Sequence, residues 1–157
     1  MEGNSTSVLQ IAVEPSGDTL PHFHEFVHAL VVRRLRATTA QSVATAATEL
    51  LDNAMAYATM ASDIKLSIAL DTLRVQITVS NETVGTRIRL LERRIEELKH
   101  DPEGAYMQEM RRLTGTDGAR TSARSMMGLA RVRHEARMDL SLEVEGSRVT
   151  LVASRRR

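Results

Sequence analysis

Two blocks of apolar/polar alternation, separated by stretches of helical periodicity, predict an α+β fold: a two-layer sandwich with a mostly antiparallel sheet and helices on one face. Leu66, Ile68 and Leu70 alternate with Lys65 and Ser67, and Leu73, Val75, Ile77 and Val79 alternate with Arg74, Gln76 and Thr78. Near the end of the chain Met138, Leu140, Leu142 and Val144 repeat the pattern, followed by Val149, Leu151 and Ala153. Runs that are apolar on one side only belong to a sheet with one face on the core and the other toward water. The helices must then cover a single face.

Taken in order, Leu9, Ile11 and Val13 read as a first strand, stopped by Pro15 and Gly17. Phe23, Phe26, Val27, Leu30 and Val31 recur at helical spacing and predict a helix over about 20–36. A second helix, about 38–58, is dense in Ala, Ser and Thr, small enough for close packing against a neighbour. The two central alternating runs flank Asp71-Thr72, read as a two-residue hairpin turn. In TRIRLLERRIEELKH, Ile88, Leu91, Ile95 and Leu98 form the stripe of an amphipathic helix. Asp101-Pro102 stops it, and a shorter helix runs to about Leu113. GTDGARTSARS reads as a mobile loop, and a last helix spans about Met126 to Ala136. The turn Glu145-Gly146-Ser147 closes the final hairpin. The stripe on 86–100 leaves two readings open: docking on its own domain, or a partner or dimer surface.

The 157 residues suit one domain, 1–157, with a lid or insertion at about 82–124. The chain has no cysteine, which excludes disulfides, thiol nucleophiles and thiolate metal sites. MEGNSTSVLQ lacks the basic start and apolar run of a signal peptide, and no stretch approaches the ~20 apolar residues that span a bilayer. The expectation is a cytoplasmic protein without a membrane partner. The net charge of +1 supplies no global field for nucleic acid. Arg33, Arg34 and Arg36, and separately Arg155, Arg156 and Arg157, read as solvated ends, and an aromatic share of 3% leaves little to stack on bases. No nucleic-acid partner is expected.

HEFVH, residues 24–28, matches H-E-x-x-H formally. A metalloprotease helix needs both histidines on the site face, a third ligand, and the glutamate beside the metal-bound water. Here the apolar face centres near Phe23, Val27 and Leu30, His24 and His28 flank it, and Glu25 points to the far side. The extended pattern also fails at Val31 and Arg34. A partly exposed helix face is expected, with no zinc.

More chemistry sits on the second helix. Glu49 and Asn53 are four apart and share a face. A carboxamide oxygen can ligate magnesium, and a carboxylate one turn away can act as a base. TELLDNAMAYA resembles the N-box of the GHKL ATPases, the superfamily of gyrase, histidine kinases and the MutL repair proteins, whose helix reads E-x-x-x-N-A. Glu49, Asn53 and Ala54 match it. The strand RVQITVSN ends in NETVG, similar to the adenine-holding D-x-G-x-G box, with Asn81 at the Asp position, Thr83 at the first Gly and Gly85 at the second. SMMGLARVRHEA is similar to the second glycine box, with Gly128 kept and Ser125 and Met127 in place of glycines.

The resemblance implies a histidine-kinase-like ATPase fold. By compact size and layout it is nearest the stand-alone anti-sigma-factor serine kinases of bacterial signalling, which phosphorylate a STAS-type antagonist. It implies ATP and Mg2+ as cofactors, with Asn53 on magnesium and Glu49 as catalytic base. Asn81 and Gly85 would serve adenine, and Gly128 at the start of its helix, with Arg120 and Arg124, the phosphates. A STAS-domain or sigma-factor-like regulator would be the partner, and a homodimer is similarly implied. The alternative function is a degenerate, non-catalytic member acting as a protein-interaction module.

Overall fold

The computed structural model describes residues 5–16, 20–114 and 122–157, the side chains of 122–126 excepted. Strand β1 (Thr6–Val13) leads through Pro15 to helices α1 (Phe23–Val31) and α2 (Ala37–Tyr57). The hairpin β2 (Ile64–Leu70) and β3 (Arg74–Glu82) follows, then α3 (Gly85–His100), α4 (Pro102–Thr114) and α5 (Ser122–His134). The hairpin β4 (Asp139–Glu145) and β5 (Arg148–Arg156) ends the chain. The strands form one sheet in the order β1-β2-β3-β5-β4, every neighbouring pair antiparallel. The predicted two-layer α+β sandwich is the fold observed. β5 inserts between β3 and β4, and its register with β3 sets Glu82 opposite Arg148.

The alternation decides which face is dry. Ile64, Leu66, Ile68 and Leu70 on β2, and Val75, Ile77 and Val79 on β3, are buried, while the residues between them are exposed or half-buried. Against this face pack Val27 and Val31 of α1, Leu50 and Leu51 of α2, and Leu129 and Val132 of α5. Each fully buried Leu or Ile contributes about 1.5–3 kcal/mol. Ala40, Ala44, Ala46, Ala47 and Ala54 of α2 are 0–1% exposed. Their small size lets α1 and α5 approach α2 from either side.

Several elements differ from the sequence expectation. The β2–β3 turn is one residue later: Asp71 and Arg74 pair, and the loop is Thr72-Leu73. Asp71 Oδ1 accepts from the backbone N–H of Leu73 at 2.7 Å and of Arg74 at 2.6 Å, so this local carboxylate turn wins over the apolar pattern. Leu73 is left 73% exposed. α1 is shorter than predicted, and Phe26 is 52% exposed, because neighbouring helical residues lie about 100° apart and the buried line runs through Phe23, Val27 and Val31. α5 begins at Ser122, inside the stretch read as a mobile loop, and Gly128 therefore lies inside the helix. In the last hairpin Gly146-Ser147 is the loop between the paired Glu145 and Arg148, and Gly146 supplies φ +61°.

The stripe of α3 faces its own domain. Ile88, Ile95 and Leu98 are buried and Leu91 is half-buried against the core, which decides between the two readings in favour of self-docking. Among the described residues no helix is long and apolar enough to cross a membrane.

Candidate functional site

Residues four apart on a helix share a face, and α2 lines up Glu49, Asn53 and Tyr57 in this way. The lower two of these three reach a cavity of about 270 Å³ at the end of the sheet where β3 finishes and β5 begins. Asn53, Tyr57, Asn81 and Thr83 supply its polar wall. Leu90 and Leu91 of α3, Leu129 of α5 and Val149 of β5 supply the apolar one, and Arg87 and Arg94 close it from α3. An apolar pocket with a few converging polar groups is the usual form of a small-molecule site, and this one lies just below the common range of about 300–1,000 Å³.

Asn81 is 6% exposed, and its Nδ2 donates to the Glu82 carbonyl at 3.3 Å. Oδ1 is then the acceptor left for a cavity occupant. Thr83 Oγ1 donates to the Tyr57 carbonyl at 2.7 Å. The last carbonyls of a helix lack intrahelical partners, so the residue standing at the first-glycine position ties off the end of α2. Arg87 lies over the Tyr57 ring, 4.2 Å from its centroid, a cation–π contact that holds the guanidinium at the rim.

Arg94 is the feature that the sequence reading missed. It is 3% exposed and sits 3.3 Å from Glu109 of α4, itself 1% exposed, and 3.1 Å from the half-exposed Glu97. Nε and Nη2 of Arg94 and Oε2 of Glu109 are buried without hydrogen-bond partners. The signal was present: Arg94 lies three after Leu91 and four before Leu98, within the apolar stripe, where a solvated charge does not belong.

Glu49 does not line the cavity. Its carboxylate makes a 3.0 Å ion pair with Arg131 of α5, and the hydrogen bond from Arg131 to Glu49 raises the arginine pKa above its ordinary value. Gly128 lies beside it, and a Cβ there would come 2.6 Å from Glu49 Oε2. Gly128 thus corrects the sequence expectation: it is an interior residue of α5, its N–H within the helical ladder rather than free for phosphate, and its lack of a side chain makes room for Glu49. Gly85 opens α3 near Arg89, whose Nη1 would lie 3.8 Å from a Cβ at the glycine, and it is not part of the cavity wall. Arg120 and the side chain of Arg124 lie outside the described residues. The predicted residues therefore separate into two groups, Asn53 with Asn81 at the cavity and Glu49 with Gly128 on the α2–α5 seam.

Magnesium takes about six oxygen ligands. Among the described residues the cavity wall offers the amides of Asn53 and Asn81, the hydroxyls of Tyr57 and Thr83, no carboxylate and two guanidiniums, a donor set that does not fit a metal site built by the protein. Among the described residues no group of three His, Asp or Glu gathers at metal-binding geometry. In the HEFVH stretch His24 Nε2 faces α2, 3.4 Å from Gln41 Nε2 and 3.5 Å from Thr45 Oγ1, while Glu25 is exposed. No protein-family model and no curated protein sequence matches the chain.

Proposed function

We propose that this chain is a regulatory nucleotide-binding module of the histidine-kinase-like ATPase type, which holds a purine nucleotide without turning it over. The observation that carries the reading is the split of the predicted site. Asn53 and Asn81 meet at an apolar cavity closed by arginines, while Glu49, the implied base, is paired with Arg131 away from it. In this reading the base lies between Leu90, Leu91, Leu129 and Val149, with its polar edge on Asn81. Arg87 leaves the Tyr57 face to meet the phosphates, and a guanidinium does so as a planar fork. Charge neutralisation by arginine makes binding independent of magnesium.

Calorimetric titration of ATP, ADP and adenosine, in magnesium and in EDTA, tests this. Expected is binding of similar strength in both, weakened about tenfold or more by Asn81→Leu, which removes the acceptor. Absence of binding at millimolar ATP in both conditions refutes it. A second reading, a serine/threonine kinase of the anti-sigma type acting on a STAS-like regulator, is favoured by Glu49 and Asn53 sharing one face of α2. It requires Arg131 to release Glu49. Magnesium-dependent ATP hydrolysis that appears in Arg131→Ala and is absent from the wild type would establish it over the first.

A further inference from the structure

The end of the molecule opposite the cavity joins two arginine runs that are far apart in sequence. Arg33, Arg34 and Arg36 form the exposed turn between α1 and α2, and Arg155, Arg156 and Arg157 finish β5. Arg157 binds across to the first run, donating from its guanidinium to the backbone carbonyls of Arg34 and Asp71, while its N–H donates to the Leu73 carbonyl. Arg155 Nη1 donates to Ser42 Oγ and to the Ala136 carbonyl, both at 3.1 Å, which brings in the α5–β4 turn and its exposed Arg137. Arg74 and Arg156 are directly opposite in the β3–β5 register, both exposed. Like charges so placed repel.

Nearby acid groups do not neutralise this end. Asp71, which accepts from two backbone N–H groups, keeps its charge, but it and Asp139, paired with Arg133 at 3.2 Å, are outnumbered by the arginines named above. Among the described residues the side chains of Arg33, Arg34, Arg36, Arg74, Arg137 and Arg156 make no ion pair. Leu73 stands out of the same surface at the tip of its turn, 73% exposed, with Val32 36% exposed on the α1–α2 turn. The net charge of +1 conceals this concentration.

We infer that this end is a docking surface for an anionic membrane, in which the arginines engage lipid phosphates and carboxylates and Leu73 enters below the headgroups. The patch gathers turns and the ends of β3 and β5 inside the sheet, so it offers no helix and no projecting two-stranded ribbon to enter a nucleic-acid groove, and none of the residues named in it is aromatic, to stack on bases. An exposed apolar tip ringed by cations fits the headgroup boundary, where apolar burial and attraction to anionic lipid add. Adsorption of this kind needs no spanning helix. The sequence expectation of no membrane partner rests on the lack of a spanning stretch and does not weigh the two arginine runs, which the fold unites. The inference is independent of the nucleotide reading, which concerns the other end of the sheet.

The test is co-sedimentation of the full chain with phosphatidylcholine vesicles, with and without about 30% phosphatidylserine, at about 0.1 M salt. Expected is binding to the anionic vesicles alone, lost at about 0.5 M salt and reduced at least about tenfold in the variant combining Arg34→Glu, Arg74→Glu and Arg156→Glu. Leu73→Ser, at an exposed tip that folding does not need, should weaken binding about tenfold. A 20-nucleotide single strand and the matching duplex, followed by fluorescence anisotropy in the same buffer, form the second arm. Binding to these with none to anionic vesicles assigns the patch to nucleic acid and overturns the inference, as does binding to neither. Vesicle binding that Leu73→Ser leaves unchanged overturns the insertion of the tip.

Discussion

Replacing Gly128 by alanine sets two effects of similar size against each other. The added Cβ would lie 2.6 Å from Glu49 Oε2, so the carboxylate must swing away and its ion pair with Arg131 is broken. Glu49 is 17% and Arg131 46% exposed; discounted for solvent, such a pair is worth about 0.5–1 kcal/mol. In the other direction, alanine is favoured over glycine inside a helix by about 1 kcal/mol. In the wild-type background the substitution should therefore change stability by no more than about 0.5 kcal/mol. In a Glu49→Ala background neither the clash nor the pair exists, and Gly128→Ala should stabilise by about 1 kcal/mol. Urea unfolding of the four proteins, followed by circular dichroism, gives the coupling as a double-mutant cycle, expected at about 0.5–1 kcal/mol. Equal stabilisation in both backgrounds would show that Glu49 does not rest on Gly128, and the separation of Glu49 from the cavity would lose its support.

Glu109→Ala removes the buried partner of Arg94 and leaves it only the half-exposed Glu97, so it should cost about 3 kcal/mol in urea unfolding, the low end for breaking a buried pair. Arg94→Met combined with Glu109→Leu should recover most of that loss, since an apolar pair of similar volume removes both buried charges. Thr83→Val deprives the Tyr57 carbonyl of its donor and should destabilise by about 1 kcal/mol by the same assay. Tyr106 donates to Glu135 at 2.7 Å, and this hydrogen bond, followed by burial, raises the phenol above its ordinary value of 10.0. A raised folded value means that the stabilisation is complete below the unfolded pKa, about 10, and is lost as pH climbs through the folded one. Ultraviolet titration should show this tyrosine ionising earlier in Glu135→Ala than in the wild type; an unchanged curve would remove Glu135 as the cause.

The elements were legible wherever a short period repeats. The alternation in β2, β3 and β5 and the stripe of α3 follow from local spacing, and so does the shared face of Glu49 and Asn53. What the sequence concealed depends on contacts between distant segments. Glu49 and Arg131 meet across the α2–α5 seam, and no local pattern announces that the carboxylate is already engaged. Gly128 read as a phosphate-binding glycine because SMMGLARVRHEA resembles a glycine box at the start of a helix, yet α5 begins before it and gives it a packing task. Arg94 and Glu109 resemble solvated charges on charged helices until both helices are placed. Leu73 continued an apolar alternation that the Asp71 carboxylate interrupts.

The insertion of β5 between β3 and β4 has a kinetic consequence. β2 and β3 are joined by a tight turn, while β1 meets β2 only across α1 and α2, with Val13 beside Ile64, and β3 meets β5 across the longer excursion of α3, α4, α5 and β4. Bringing Arg148 beside Glu82 closes a loop of about 66 residues, for which the length-dependent entropy is about 3.7 kcal/mol. Packing of α3 on α4 and of α4 on α5 inside that loop offsets only part of the cost before the strands touch, so the β3–β5 pairing belongs in the rate-limiting step. Core substitutions at Ile77 or Leu151, on these two strands, should slow folding, while those on the α1 face of the core should mainly speed unfolding.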